Sequence, residues 1–176
     1  MYPYARLGLE IARFRRAPRL GLFDTHVSHH RCWPQDLDPW IELNNGRTLT
    51  LYDLGRIVLI RRTGIVAAMR REGWGVTVAG SSIRYRSRVR PFDRVEMRSR
   101  VVGWDARFVY IEQGMWRGAT CCSHVLIRSA LTDANGIVAT ERAERALGLG
   151  RSPELPDWIA AWARAEALRP WPPMQG

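Results

Sequence analysis

The sequence predicts an α+β domain in which a curved antiparallel sheet wraps one central buried helix. Three observations predict it. From Asn44 to about Thr63, apolar side chains (Leu49, Leu51, Tyr52, Leu54, Ile57, Val58, Leu59, Ile60) occupy nearly every side of a helical projection, and a helix of that kind is buried. Beyond Gly73 the apolar period changes from helical to two and stays there. The turn signals "GWDA", "RGA" and "TDANG" then divide the extended segments into an antiparallel meander. An apolar helix must be covered, and this sheet is the only partner that the chain offers.

Taken in order, Tyr4 to Phe14 places Leu7, Ile11 and Phe14 at helical spacing beside Arg6, Arg13 and Arg15, a short basic amphipathic helix. It packs on the domain or on a neighbouring subunit; contact with a membrane surface is the competing reading. Leu22 to Trp33 is extended. "NNG" at Asn44 to Gly46 opens the central helix, because an Asn side chain satisfies free amides of the first turn. Gly64 breaks that helix, and a second short helical piece ends near Gly73. "WGVTVAGSSIRYRSRV" begins the strands. Next, Val95, Met97, Ser99 and Val101 face one way and Arg94, Glu96, Arg98 and Arg100 the other, a strand with one wet side. Phe108 to Trp116 and Cys121 to Leu131 continue the sheet. "SPELPDWIAAWARAEALRP" reads as a helix starting near Pro153 or Pro156 and halted by Pro170. The chain thus divides into an N-terminal amphipathic segment (1–21), the central domain (22–147) and a C-terminal helix and tail (148–176). One small sheet leaves its edges open, and pairing two sheets edge to edge in a dimer closes them economically.

At 176 residues, one domain is expected. Its 27 basic residues, all arginine, outweigh 17 acidic ones for a formal charge of +10. Arginine holds phosphates bidentately, so such a surface suits a nucleotide-bearing thioester, an acidic carrier protein or nucleic acid. The arginines are scattered through alternating patterns, without a basic run or a zinc-finger or RNP-type motif, which disfavours nucleic acid. Cys32, Cys121 and Cys122 make an odd count without metal spacing and read as reduced thiols of a cytoplasmic protein. "RFRR" lacks the apolar stretch and cleavage site of a secretion signal, and no run approaches the length of a membrane span.

The chemistry concentrates in "WPQDLDPWIELNNGRTLTLYDLGR", where Asp36, Asp38 and Glu42 immediately precede the start of the central helix. Unpaired amides there, with roughly half a positive charge from the macrodipole, stabilise an oxyanion as it develops. A carboxylate held alongside by the Asp-Leu-Asp-Pro turn could attack a carbonyl or activate a water. The competing reading makes Asp36 and Asp38 turn formers and Glu42 a solvated charge. Other groups carry less. His26, His30 and Cys32 share a strand face but lack a fourth zinc ligand or an open water position. His124 and Cys122 would share a face without an orienting group. "VAGSSIRY" lacks the spacing of a nucleophile elbow, so Ser81 and Ser82 are strand residues near the cleft. Gly73, Gly75 and Gly80 form no phosphate loop.

"DLDPWIELNNGRTLTLYDLGR" resembles the D-x-D-x-x-G-H-V-N-N-A-R-Y segment of hotdog-fold acyl-CoA thioesterases, the group of 4-hydroxybenzoyl-CoA and acyl-ACP thioesterases, and the element order agrees over about residues 22–147. The resemblance implies Asp38 as the catalytic carboxylate and Asn45 as the backbone donor. Asn44 falls on the other asparagine of the pair, and Asp53 on a helix carboxylate, here more simply an i,i+3 partner for Arg56. The G-H pair is replaced by Ile41 and Glu42. Either Asp38 serves alone, with Glu42 raising its pKa or taking over as base, or the protein binds an acyl thioester or a protein partner without turnover.

The implied activity is hydrolysis of an acyl-CoA or acyl-carrier-protein thioester by a homodimer or homotetramer, with no metal or other cofactor. The acyl chain would lie along the buried helix among Leu49, Tyr52 and Ile83, with Ser82 near the cleft. Arg84, Arg86, Arg88 and Arg90, alternating on one strand face, would meet the phosphates, unless that face is merely solvated.

Overall fold

The computed structural model describes residues 2–174, so Met1, Gln175 and Gly176, the outer ends of the two predicted flanking segments, lie outside the described residues. The helices are α1 (Tyr4–Arg13), α2 (Asn45–Arg62), α3 (Ile65–Glu72), α4 (Thr140–Leu147) and α5 (Asp157–Leu168). The strands are β1 (His26–Arg31), β2 (Gly75–Tyr85), β3 (Arg94–Trp104), β4 (Val109–Arg117), β5 (Thr120–Asp133) and the two-residue β6 (Gly136–Ile137). A 3-10 turn covers Pro34–Asp36. Strand order is β1-β3-β4-β5-β2, every pairing is antiparallel, and β6 pairs with β5. Because β1 and β2 lie at opposite edges of that path, the α2–α3 connection must cross a face of the sheet, which seats the central helix.

The α2 boundaries follow from local chemistry. Asn44 caps the start, its Oδ1 accepting from the amides of Gly46 (2.9 Å) and Arg47 (3.2 Å). Gly64 (φ +78°) and Gly73 (φ +71°) supply the left-handed turns before and after α3. Leu51, Tyr52, Leu54 and Leu59 of α2 share one buried cluster with Val95, Met97 and Val101 of β3, Ile111 and Met115 of β4, and Val125 and Ile127 of β5. Gly55 lets α2 approach β3: a Cβ there would meet Met97 Sδ at 2.7 Å and Ser99 Oγ at 2.9 Å. A buried polar chain ties the layers together. Arg56 pairs with Asp53, as the i,i+3 spacing predicts, and donates to Gln113 Oε1 (3.2 Å). The Gln113 amide donates to Tyr52 O and Ser99 Oγ, both at 2.8 Å.

The outer face of the sheet is covered too. Ile159 of α5 packs with Tyr110 and Leu126, flanked by Phe108 and Trp162. The predicted C-terminal helix is therefore a second cover rather than a loose appendage. α1 packs Leu7 against the inner core and buries Glu10, while Tyr4 and Leu9 stay exposed.

Two sequence expectations need correction here, and one element went unread. The extended stretch before the central helix is limited to the strand His26–Arg31: a turn closed by the Asp24 amide on Gly21 O (3.1 Å) precedes it, and Pro34 opens a 3-10 turn after it. α4 was not anticipated: its octapeptide TERAERAL is polar, and only Ala143, Ala146 and Leu147 join the satellite cluster of Met69, Trp74, Leu131 and Val138. Cys122 and His124 do not share a face. Met115 pairs with Ser123 and Trp116 with Cys121, leaving Cys122 as the extra residue of a bulge. The bulge turns Cys122 into the inner core, while His124 lies outside against Trp158 and Glu112.

Candidate active site at the start of the central helix

The loop between the 3-10 turn and α2 is closed by its own polar groups. Asp36, 2% exposed, accepts the Trp33 amide (3.0 Å) and pairs with Arg6 (2.7 Å) and Arg47 (3.7 Å), while its carbonyl accepts the Asn44 amide (2.9 Å). It anchors the entry to α2 and is held by α1. Leu37 and Leu43 then face each other across a bridge that pinches off the segment between them. Within it the Asp38 amide donates to Glu42 O (2.9 Å), and Asp38 Oδ1 accepts the amides of Trp40 (2.9 Å) and Glu42 (3.3 Å). Ile41 sits at φ +60°, in the left-handed region, where the thioesterase motif has glycine. A β-branched residue is strained there.

Beside this loop lies a polar cleft of about 230 Å³. One wall is Glu42, Leu43, Asn45 and Thr48; the other is Tyr85 to Val89; Met115, Cys122 and Ser123 come from the sheet. Of the predicted site residues, Glu42, Asn45 and Arg86 meet here, joined by Arg88. Arg88 Nε approaches Glu42 Oε2 to 3.0 Å as an ion pair, but off hydrogen-bond alignment; this oxygen is sheltered from solvent and has no hydrogen-bond donor among the described residues. Asn44 uses its side chain on the Gly46 and Arg47 amides, whereas the Asn45 amide has no acceptor among the described residues. The Tyr85 hydroxyl donates to Asn45 O (3.3 Å), tying the end of β2 to the helix start. Tyr85, Thr48 and Ser123 were missed by sequence reasoning. The Tyr85 position at a strand end facing the helix was the one available signal.

The other predicted residues lie elsewhere. Asp38 is half-buried in its own turn and does not line the cleft. Tyr52 is fully buried beneath the cleft, donating to Ser123 O (2.9 Å) with Ser123 Oγ at the same distance; burial pushes its phenol well up. Ser82 and Arg84 pair across the sheet with Leu126 and His124, which places them on the outer face under α5 and away from the cleft. The arginine alternation also ends early. β2 stops at Tyr85, the amides of Arg86 and Ser87 both turn onto Cys122 O (2.8 and 3.1 Å), and Arg86 and Arg88 reach the cleft from a loop; Arg90 does not line it. Burial raises both the Cys121 and Cys122 thiols, so neither is a poised thiolate. His26, His30 and Cys32 face inward, His30 Nε2 bonding Ser28 Oγ (2.9 Å) and His26 Nδ1 bonding Arg62 (3.0 Å).

A second, apolar concavity of about 80 Å³ lies toward the other end of α2, lined by Ile60, Ile65, Met69, Val76, Leu131 and Leu147 among others. Ser129 lines it as well, and its buried hydroxyl has no hydrogen-bond partner among the described residues.

Comparison with known proteins adds the following. Residues 32–163 match the family described as the thioesterase-like superfamily. Protein THEM6 of Xenopus laevis is 38% identical over 80 residues, covering 46% of this chain and 39% of that protein. The Drosophila melanogaster protein of the same name is 31% identical over 91 residues, covering 51% and 47%. The chain thus spans about half, or less, of the length of the curated relatives it matches. Among solved structures, YbaW of Escherichia coli superposes with a TM-score of 0.65 at 16% identity, over 69% of this chain and 96% of YbaW. A DHNA-CoA thioesterase from Staphylococcus aureus gives 0.60 at 14% identity, over 82% and 92%. At such identities the likeness shows the fold, a hotdog: a strongly curled antiparallel sheet around one helix.

Proposed function

This chain belongs to the thioesterase-like superfamily, and from that premise we propose that it hydrolyses an acyl thioester of coenzyme A or a carrier protein in the cleft at the start of α2. The observation that carries this reading is that Glu42 and Asn45 line one cleft, a carboxylate on the same wall as a first-turn amide without an acceptor among the described residues. The thioester carbonyl oxygen accepts the Asn45 N–H, where the helix start stabilises negative charge. Glu42 takes a proton from water as the water oxygen attacks the carbonyl carbon. The tetrahedral intermediate then collapses, the C–S bond breaks, and the sulfur leaves as a thiol on regaining that proton. Asp38, the motif's catalytic position, acts here as a positioning residue that holds the Glu42 backbone. Arg86 and Arg88 at the mouth suit the phosphates of coenzyme A.

A dimer completes this reading. β2 is an edge strand with Val76 and Val78 exposed. Antiparallel pairing of two β2 strands about their middle would bring the Val76 end of one protomer, beside its apolar concavity, next to the Tyr85 end and cleft of the other. The acyl tail and the thioester head would then be served by different protomers.

A second reading, binding without turnover, is favoured by the engagement of both acids, Asp38 by its turn and Glu42 by Arg88. Thiol release from a panel of acyl-CoA esters by wild type and Glu42→Gln tests both. Hydrolysis by wild type that Glu42→Gln abolishes supports the first. Equal rates remove Glu42 from the chemistry, and tight acyl-CoA binding with no turnover by wild type establishes the second.

A further inference from the structure

At the far end of α2 from the cleft, two adjoining hollows of about 300 and 250 Å³ open between the α1–β1 connection, the last turn of α2 and α3. Arg15 and Arg62 line the first, Arg70 lines the second, and Arg19 and Arg61 line both. Among the described residues, no acidic one lines either. Several other guanidiniums on this arginine-rich surface meet carboxylates, as in Arg98–Glu96, Arg100–Glu112 and Arg145–Glu141, each at 2.6 Å, while others such as Arg94 and Arg164 stand singly among the described residues. Here Arg15, Arg19, Arg61 and Arg70 have no ion pair among the described residues. Arg62 alone is held, donating to Pro18 O (3.0 and 3.2 Å), contacting His26 Nδ1 and covering the Phe14 ring at 5.6 Å.

The electrostatics favour a multiply charged occupant. Five arginines line the two hollows, and the α2 C-terminus offsets only about half an elementary charge. Crowding of like charge destabilises the fold unless a counter-anion is present. A single carboxylate would leave most of the excess. Guanidiniums grip phosphate oxygens bidentately, and Arg19 and Arg61, which line both hollows, stand where one doubly phosphorylated anion can be held between the arginines of the two. We propose that these hollows bind an anion carrying two phosphate groups, soluble or borne on a lipid headgroup. The 18 residues of α2 put this site about 27 Å from the cleft of the same protomer, so it stands independently of the hydrolytic reading.

The test is thermal unfolding of the full chain with inorganic pyrophosphate against sodium chloride of equal ionic strength. Pyrophosphate at about 100-fold above its Kd raises Tm by about 5 °C. Arg19→Gln/Arg61→Gln, folded by its ligand-free melt, loses that rise, whereas Arg94→Gln/Arg164→Gln, exposed arginines elsewhere, keeps it. A rise no larger than the salt control gives, an equal rise from orthophosphate, or equal loss in both double variants would overturn the proposal. Cosedimentation with phosphatidylcholine vesicles, with and without phosphatidylinositol 4-phosphate, separates the sources. Retention that needs the phosphorylated lipid and is competed by pyrophosphate assigns the headgroup. Absence of retention beside an intact Tm rise assigns a soluble anion.

Discussion

Asp38 and Glu42 clasp each other in both directions, the Asp38 amide donating to Glu42 O at 2.9 Å and the Glu42 amide to Asp38 Oδ1 at 3.3 Å. The two acids are thus parts of one device, and only Glu42 lines the cleft. The family motif has a histidine where Glu42 stands, so the carboxylate occupies a position that a titratable group ordinarily fills.

That relationship separates the two acids experimentally. Glu42→Gln keeps shape and removes the base, so kcat for thioester hydrolysis falls by about 10²–10⁴-fold. Asp38→Asn retains an oxygen acceptor at Oδ1 and the turn, so its loss stays within about tenfold of wild type, while Asp38→Ala opens the loop and loses more. Steady-state thiol release by the three variants is the measurement. An Asp38→Asn loss as deep as that of Glu42→Gln would return the base role to Asp38.

The strain at Ile41 predicts a stabilising substitution. Left-handed backbone is costly for a β-branched residue and free of steric penalty for glycine. Ile41 is also largely exposed, so little apolar burial is lost. Ile41→Gly raises stability by about 1 kcal/mol, read as a Tm increase of about 2–4 °C. A decrease in Tm shows that Ile41 makes compensating contacts.

Gly55→Ala should act in the opposite sense despite alanine's better helix propensity. The new methyl meets Met97 Sδ and Ser99 Oγ inside 3.0 Å, and Ser99 is held by Gln113. Overpacking of this kind costs about 1–3 kcal/mol against a propensity gain of about 1 kcal/mol. Urea unfolding therefore shows a net loss, and an unchanged midpoint would mean that α2 can withdraw from β3 without penalty.

Acid stability follows from buried titratable groups. Burial, helped by Arg62 beside His26 and Arg6 beside His30, pushes both histidines down to about 4. Unfolded histidine protonates near 6.5, so between about 6.5 and 4 the unfolded chain binds more protons and stability falls as pH falls. Glu112, hydrogen-bonded by His124 and paired with Arg100, is held down at about 2. Its contribution is present above the usual 4.5 and is lost as pH falls toward 2. Buried Glu10, pushed up by burial, works against this trend. The expected result is a urea midpoint that drops from pH 7 to pH 4.5 and a shallower drop in His30→Gln. A flat profile refutes the assignment of neutral buried histidines.

What the sequence alone determined is what depends on neighbours along the chain. Asn44 caps α2 with its own side chain, Gly64 and Gly73 end helices through backbone freedom, and period two in β3 sorts Val95 to Val101 from Arg94 to Arg100. The resemblance in the Asp36–Arg56 stretch located the helix start where the cleft lies. α4 escaped because its apolar face is a few small residues whose burial depends on Trp74 and Leu131, far off in sequence. The facing of Ser82 and Arg84, the inward turn of Cys122 and the choice of Glu42 over Asp38 on the cleft wall were left to the tertiary structure. Register shifts change the side to which a residue points, and a carboxylate's role depends on which distant partner reaches it, as Arg6 reaches Asp36 and Arg88 reaches Glu42. Spacing along a strand or turn carries neither quantity, because both are properties of pairs brought together only when the sheet closes around α2.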